Sequence, residues 1–210
     1  MNFTGQLASF AISFGMLIIA MTVHEFAHGF VAYKLGDSTA KYSGRLTLNP
    51  LAHIDLFWTI LLPLFLFISS GGHFVFGAAK PVPVNYWSLK NPKKDMLWIG
   101  AAGPLSNFAL ALVISIIIKL VGFPYIISLL LMNLIMINVV LGVFNLIPIP
   151  PLDGSRILMG LLPESLAYQY TRIEPYSFII LIALIWMGAL NIFIWPVVGL
   201  ILRLLGVGGA

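Results

Sequence analysis

Cysteine is missing from all 210 residues. No disulfide can form and no thiolate can hold a metal, so any metal site must draw on His, Asp or Glu. Charge is scarce as well. Asp, Glu, Lys and Arg make up 9% of the chain, against about 25% in soluble domains. The basic excess of +4 is too small to argue for nucleic acid and reads as loops on the cytoplasmic side of a membrane. The first six residues hold no Lys or Arg, and no small-residue cleavage site follows. The first apolar run is therefore expected to stay in place rather than be removed as a signal peptide. Internal repeats and low-complexity tracts are also absent from the sequence.

What is present is apolar. Hydrophobic residues account for 60% of the chain, with a mean hydropathy of +1.02. This composition predicts an integral membrane protein, polytopic and all-α, folded as a single domain over 1–210. Four long apolar runs carry the expectation, at about 5–35, 96–120, 125–147 and 176–205, the last with a kink at Trp195-Pro196. Residues 40–49 alternate like a strand. Residues 79–85 are extended but hold Pro81 and Pro83, which suit an edge strand at best. A small β-hairpin or sheet is expected from these two pieces.

A fifth apolar run, 54–76, is long enough to cross but carries Pro63 and Gly71-Gly72. Lys34, Lys41 and Arg45 precede it; Lys80, Lys90, Lys93 and Lys94 follow. The positive-inside rule prefers all seven on one side. The run is expected to be a re-entrant hairpin or a surface-hugging loop beside the active site.

The chemistry sits in the first run, at His24-Glu25-Phe26-Ala27-His28. Helical positions i and i+4 share a face, so both histidines can reach one metal, with Glu25 beside them as a base. Ionisable residues in a membrane-spanning segment are costly and call for a functional reason. A catalytic zinc site takes three protein ligands and leaves one position open. Asp153 is the best third ligand. It follows a helix broken by Pro148, Pro150 and Pro151, and a carboxylate in that setting needs a partner. His53 is the runner-up, read first as a hydrogen-bonding loop residue. Glu164 and Glu174 read as solvated charges, and Asp55 as interfacial.

Taken in order, His24-Glu25-x-x-His28, Gly103-x-x-x-Asn107 and Asn145-Leu-Ile-Pro-Ile-Pro-Pro-Leu152-Asp153-Gly154 resemble the site-2 protease family of intramembrane zinc metalloproteases. The resemblance spans about residues 20–160. It implies Zn2+ on His24, His28 and Asp153, Glu25 as catalytic base, and Asn145 as a residue holding the substrate or the oxyanion. The partners it implies are a transmembrane protein or peptide substrate and membrane lipid. PDZ and CBS modules, common in the family, have no counterpart in these residues, which points to its compact branch. The expected location is the cytoplasmic membrane of a prokaryote, with the site nearer the cytoplasmic face. Two readings compete with a protease. A metal transporter predicts several aligned polar sites, and the sequence shows one cluster. An inactive scaffold has no use for Glu25.

Overall fold

A computed structural model describes residues 3–72, 75 and 77–207. Three helices are long and apolar enough to cross a membrane, or four if a bent C-terminal pair counts as one span. They are α1 (Phe3–Lys34), α4 (Pro92–Val121) and α5 (Tyr125–Asn145). At 1.5 Å per residue, the shortest is about 32 Å long, matching a hydrocarbon core of about 30 Å. The chain is an integral membrane protein. Its exposed surface is dense in Leu, Ile, Phe and Trp, as a lipid-facing surface requires.

Each end of these helices has a local cause. Lys34 closes α1, and Gly36 at φ 111° turns the chain. Pro92 opens α4 as its first residue, where its missing N–H costs nothing. Asp95 in that first turn accepts from Asn91 N–H at 2.9 Å, so α4 starts four residues earlier than the sequence suggests. Gly122 at φ 64° ends it. Helix α5 stops at Asn145, ahead of Pro148, because the proline-rich run cannot continue the i→i−4 ladder.

The strand expectation is corrected. Among the described residues there is no strand. Residues 40–49 begin in the short helix α2 (Thr39–Tyr42) and continue as turns. Arg45 and Leu46 both donate their N–H to Ala40 O, a closure that a strand cannot make. Residues 79–85 are extended through Asn85, but with two prolines they form no ladder. The apolar run 54–76 becomes a π-helical turn at Leu56–Leu61 followed by α3 (Leu62–Ser69). This helical stretch is too short to count as a span. Phe76, the end of the expected run, lies outside the described residues.

After α5, a Pro150–Pro151 cis peptide leads into α6 (Asp153–Leu161) and α7 (Glu164–Thr171). Then come α8 (Ser177–Trp186) and α9 (Ala189–Leu204). The bend in the last apolar run falls at Gly188, φ 70°, rather than at Trp195-Pro196. Glycine ends α8 in the left-handed conformation without the penalty a Cβ would carry, whereas Pro196 is accommodated inside α9. The two helical arms differ in direction by 77°.

Helix α4 is central, packing on α1, α5 and α6. Its glycines make that possible. A Cβ on Gly100 would lie 3.0 Å from Arg156 Cβ, and one on Gly160 of α6 would lie 2.7 Å from Leu97 Cβ. The apolar core lies further along α4, where Ala111 of that helix and Ile135, Val139, Leu181 and Val198 of its neighbours are buried.

Candidate metal centre

Helix α1 presents His24 and His28 on one face, both buried. Helix α6 brings Asp153 to the same point from its first turn, where the helix dipole favours a carboxylate. Asp153 Oδ2 lies 3.0 Å from His24 Nε2 and 3.1 Å from His28 Nε2, and the two Nε2 atoms are 3.1 Å apart. Among the described residues this is the one group of three such side chains close enough to share an ion.

The hydrogen bonds behind the triangle place a proton on each Nδ1. His28 Nδ1 lies 2.6 Å from Ile99 O, a pure acceptor, so Nδ1 carries the proton. The assignment at His24 runs through three side chains. Asn138 Nδ2 donates to Leu134 O, so its Oδ1 faces Asn107; Asn107 Nδ2 donates to that oxygen and to Ala20 O. Asn107 Oδ1 therefore faces His24 Nδ1 at 2.7 Å and accepts its proton. A ring with its proton on Nδ1 and no second proton presents Nε2 as a lone pair, the form that binds a metal. Two lone pairs and a carboxylate oxygen then point at one another inside the protein. Such a cluster repels itself unless a proton or a metal cation sits among the three atoms.

The donor set fits zinc. A tetrahedral ion with bonds of about 2.0–2.2 Å holds its ligand atoms about 3.3–3.6 Å apart, a few tenths of an ångström wider than the triangle seen here. Neutral imidazoles whose far nitrogen is tied to a carbonyl oxygen are the usual supporting arrangement for such ligands. Gly103 lets α4 approach them. A Cβ there would come within 2.5 Å of His24 Nε2 and collide with His28 as well.

One cavity of ≈ 380 Å³ holds the three residues together with Glu25 and Asn145. Glu25 Oε2 accepts the N–H of Val82 at 2.8 Å. Asn145 lines the wall with its Nδ2 donating to Leu141 O at 3.0 Å. The runner-up His53 is not part of the cluster. It is buried in the loop after α2, with Nε2 2.8 Å from Thr47 O. Glu164, Glu174 and Asp55 also lie outside the cluster; Asp55 caps the π-turn by accepting from Phe57 and Trp58 N–H.

Neither Asn107 nor Asn138 has a task that the sequence alone reveals. Their signal was present, as polar side chains in the middle of apolar helices. Which imidazole they serve became visible only when α4 and α5 were packed on α1.

The folded arrangement therefore defines a class: a helical membrane protein with a buried His-His-Asp centre and a carboxylate beside it in the same cavity. The profile of Peptidase family M50 matches residues 10–129 and 123–188. The chain belongs to this family, the site-2 proteases. It is 39% identical over 189 residues to "Putative zinc metalloprotease YwhC" of Bacillus subtilis, covering 86% of this chain and 82% of that one. The protein named Rip2 of Mycobacterium tuberculosis strain H37Rv is 30% identical over 210 residues, 97% of this chain and 79% of its own. "Zinc metalloprotease MJ0392" of Methanocaldococcus jannaschii is 31% identical over 163 residues, which are 75% of this chain but 36% of that longer protein. No solved structure gives a significant match.

Proposed function

We propose that this protein is an intramembrane zinc metalloprotease that hydrolyses peptide bonds of transmembrane substrates. The observation that carries the reading is the convergence of two tautomer-fixed Nε2 atoms and one carboxylate oxygen, in one cavity with Glu25. His24, His28 and Asp153 hold the ion. When bound, zinc supplies Lewis acidity and makes water acidic enough to react near neutral pH. Glu25 is an acceptor aimed into the same space. It takes the proton of the attacking water and passes it to the departing amine. Asn145 is the neutral amide of the wall, suited to hold the substrate carbonyl or the charge that grows on it.

A peptide bond in a helix is shielded by its own turn, so the substrate must unwind to be cut. The backbone of 77–82, neither helix nor strand, runs along the cavity wall and suits an unwound peptide laid alongside it. The substrate is therefore a membrane-embedded polypeptide, and lipid surrounds the rest. A transporter would need further ligand groups along a path, and among the described residues one is found.

The deciding experiment is Glu25→Gln, assayed on a transmembrane peptide in liposomes with zinc measured in parallel. Cleavage should vanish while one zinc per chain remains. Full cleavage by this variant would sink the mechanism.

The proposed topology places the site nearer a cytoplasmic face, with 54–76 entering and leaving on one side. The shortness of the Leu56–Ser69 helical stretch supports it. Single cysteines placed near residues 45 and 90 should then be labelled from the same side of the membrane. Labelling from opposite sides would overturn the topology.

A further inference from the structure

Glu25 is held by the same segment that lies along the cavity wall. Val82 N–H donates to Glu25 Oε2 at 2.8 Å. Val82 sits between Pro81 and Pro83, neither of which has an N–H, and their rings fix φ. Across these three residues there is a single donor, and it points at Glu25. The Val82 side chain is buried and seated against α1. A Cβ on Gly29, one turn after Glu25, would lie 3.1 Å from Val82 Cγ1. A larger residue at Gly29 would push the donor off its acceptor.

The segment is secured from behind by Arg45, which is only 9% exposed. Its guanidinium donates to Lys80 O at 2.6 Å and to Pro81 O at 3.3 Å. These are the two carbonyls immediately before the Val82 amide. No carboxylate pairs with Arg45 among the described residues, and its Nε has no hydrogen-bond partner. Burying a guanidinium on backbone carbonyls is costly. The cost falls at the point where the backbone leads directly into the contact with Glu25. His53 O adds a third hold by accepting Lys80 N–H at 2.9 Å.

We propose that Arg45 and the Val82 amide form a clamp that orients the general base: Arg45 fixes the 80–81 peptide, and that peptide aims the Val82 N–H at one oxygen of Glu25. One carboxylate oxygen is held by the clamp and the other stays available for the proton of water. Arg45 is thus a positioning residue, and the Val82 N–H is the group through which it acts. The inference rests on the reading of Glu25 as the base.

Two arms test it. In the first, kcat and KM for a transmembrane peptide are measured for Arg45→Ala, Arg45→Lys and Val82→Pro, with bound zinc quantified and Glu25→Gln run alongside. Misplacing a catalytic group by about an ångström costs up to about a hundredfold. Arg45→Ala and Val82→Pro should each lower kcat by about ten- to a hundredfold with zinc content nearly unchanged. KM should stay nearly unchanged in Arg45→Ala and rise in Val82→Pro, which lies where the substrate is laid. Arg45→Lys, which can still donate to one carbonyl, should recover part of the loss. Unchanged kcat in both damaging variants would overturn the clamp. So would a raised kcat, which would make the segment a plug rather than a support.

The second arm does not use activity and covers a Val82→Pro chain that fails to fold. Hydrogen exchange at the Val82 amide is followed in valine-labelled, metal-free protein. Exchange should be slow in the wild type and faster in both Glu25→Ala and Arg45→Ala. Equal protection in all three would show that no such clamp exists. A fully active Glu25→Gln would instead reject the base assignment, leaving the exchange result to judge the clamp alone.

Discussion

Two neighbouring regions use the same residue types to opposite ends. In the belt formed by residues 37–59 and 77–85, polar side chains are committed to backbone. Asp37 accepts from Thr39 and Asn85 N–H. Asp55 caps a turn, Thr59 donates to Ala78 O, and His53 reaches Thr47 O. At the α1–α4–α6 corner the histidines are also bonded to carbonyl oxygens, but only through Nδ1. What remains, two Nε2 atoms and a carboxylate oxygen, is gathered at one point. Burial does not separate the regions, since His53 is as buried as His24 and His28, and neither does a lone unpartnered nitrogen, since His53 Nδ1 also has no partner. The convergence of unspent lone pairs does.

Removing a ligand should break the contrast most sharply. His24→Ala takes away one corner of the triangle and leaves two lone pairs for the ion. Bound zinc should be lost together with all cleavage, as read by metal analysis and the liposome assay. A chain that keeps full zinc after this change would show that the ion is held elsewhere. A smaller effect is expected one layer out. Asn107→Ala leaves the three ligands intact but frees the His24 ring and its tautomer. Partners of that kind are worth about ten- to a hundredfold in metal affinity. A chelator competition titration should show a shift in that range, and an unaltered affinity would mean that the asparagine only packs. The smallest effect belongs to the belt. His53→Gln should leave zinc stoichiometry untouched while lowering stability by about 1 kcal/mol, the net worth of one hydrogen bond. Loss of zinc in this variant would erase the distinction between the two regions.

Much of the corner was legible in the sequence. His24, Glu25 and His28 stand at helical spacing in a segment that should hold no charge, and Asp153 follows a helix that proline must break. The belt was legible only in part. Alternation at 40–49 resembled a strand because period-2 patterning also arises in a chain of turns whose side chains are held one by one. Arg45 shows the difficulty: it counted towards the positive-inside argument as a surface charge, yet its guanidinium is buried against the carbonyls of Lys80 and Pro81. The position of the C-terminal bend was missed for a related reason. Proline in a helix signals a kink, but Gly188 provides a left-handed stop that Pro196 cannot.

The separation of the ligands along the chain has a consequence in time. Asp153 lies 125 residues after His28. At synthesis rates of about 5–20 residues per second, the two histidines leave the ribosome about 6–25 s before their carboxylate. Asn107 arrives inside that interval, so the His24 ring can be set before the third ligand exists. The nascent chain thus passes through a stage with an oriented pair of imidazoles and no complete cage. The complete His-His-Asp set exists only once the proline-rich break has been made and α6 has folded back onto α4.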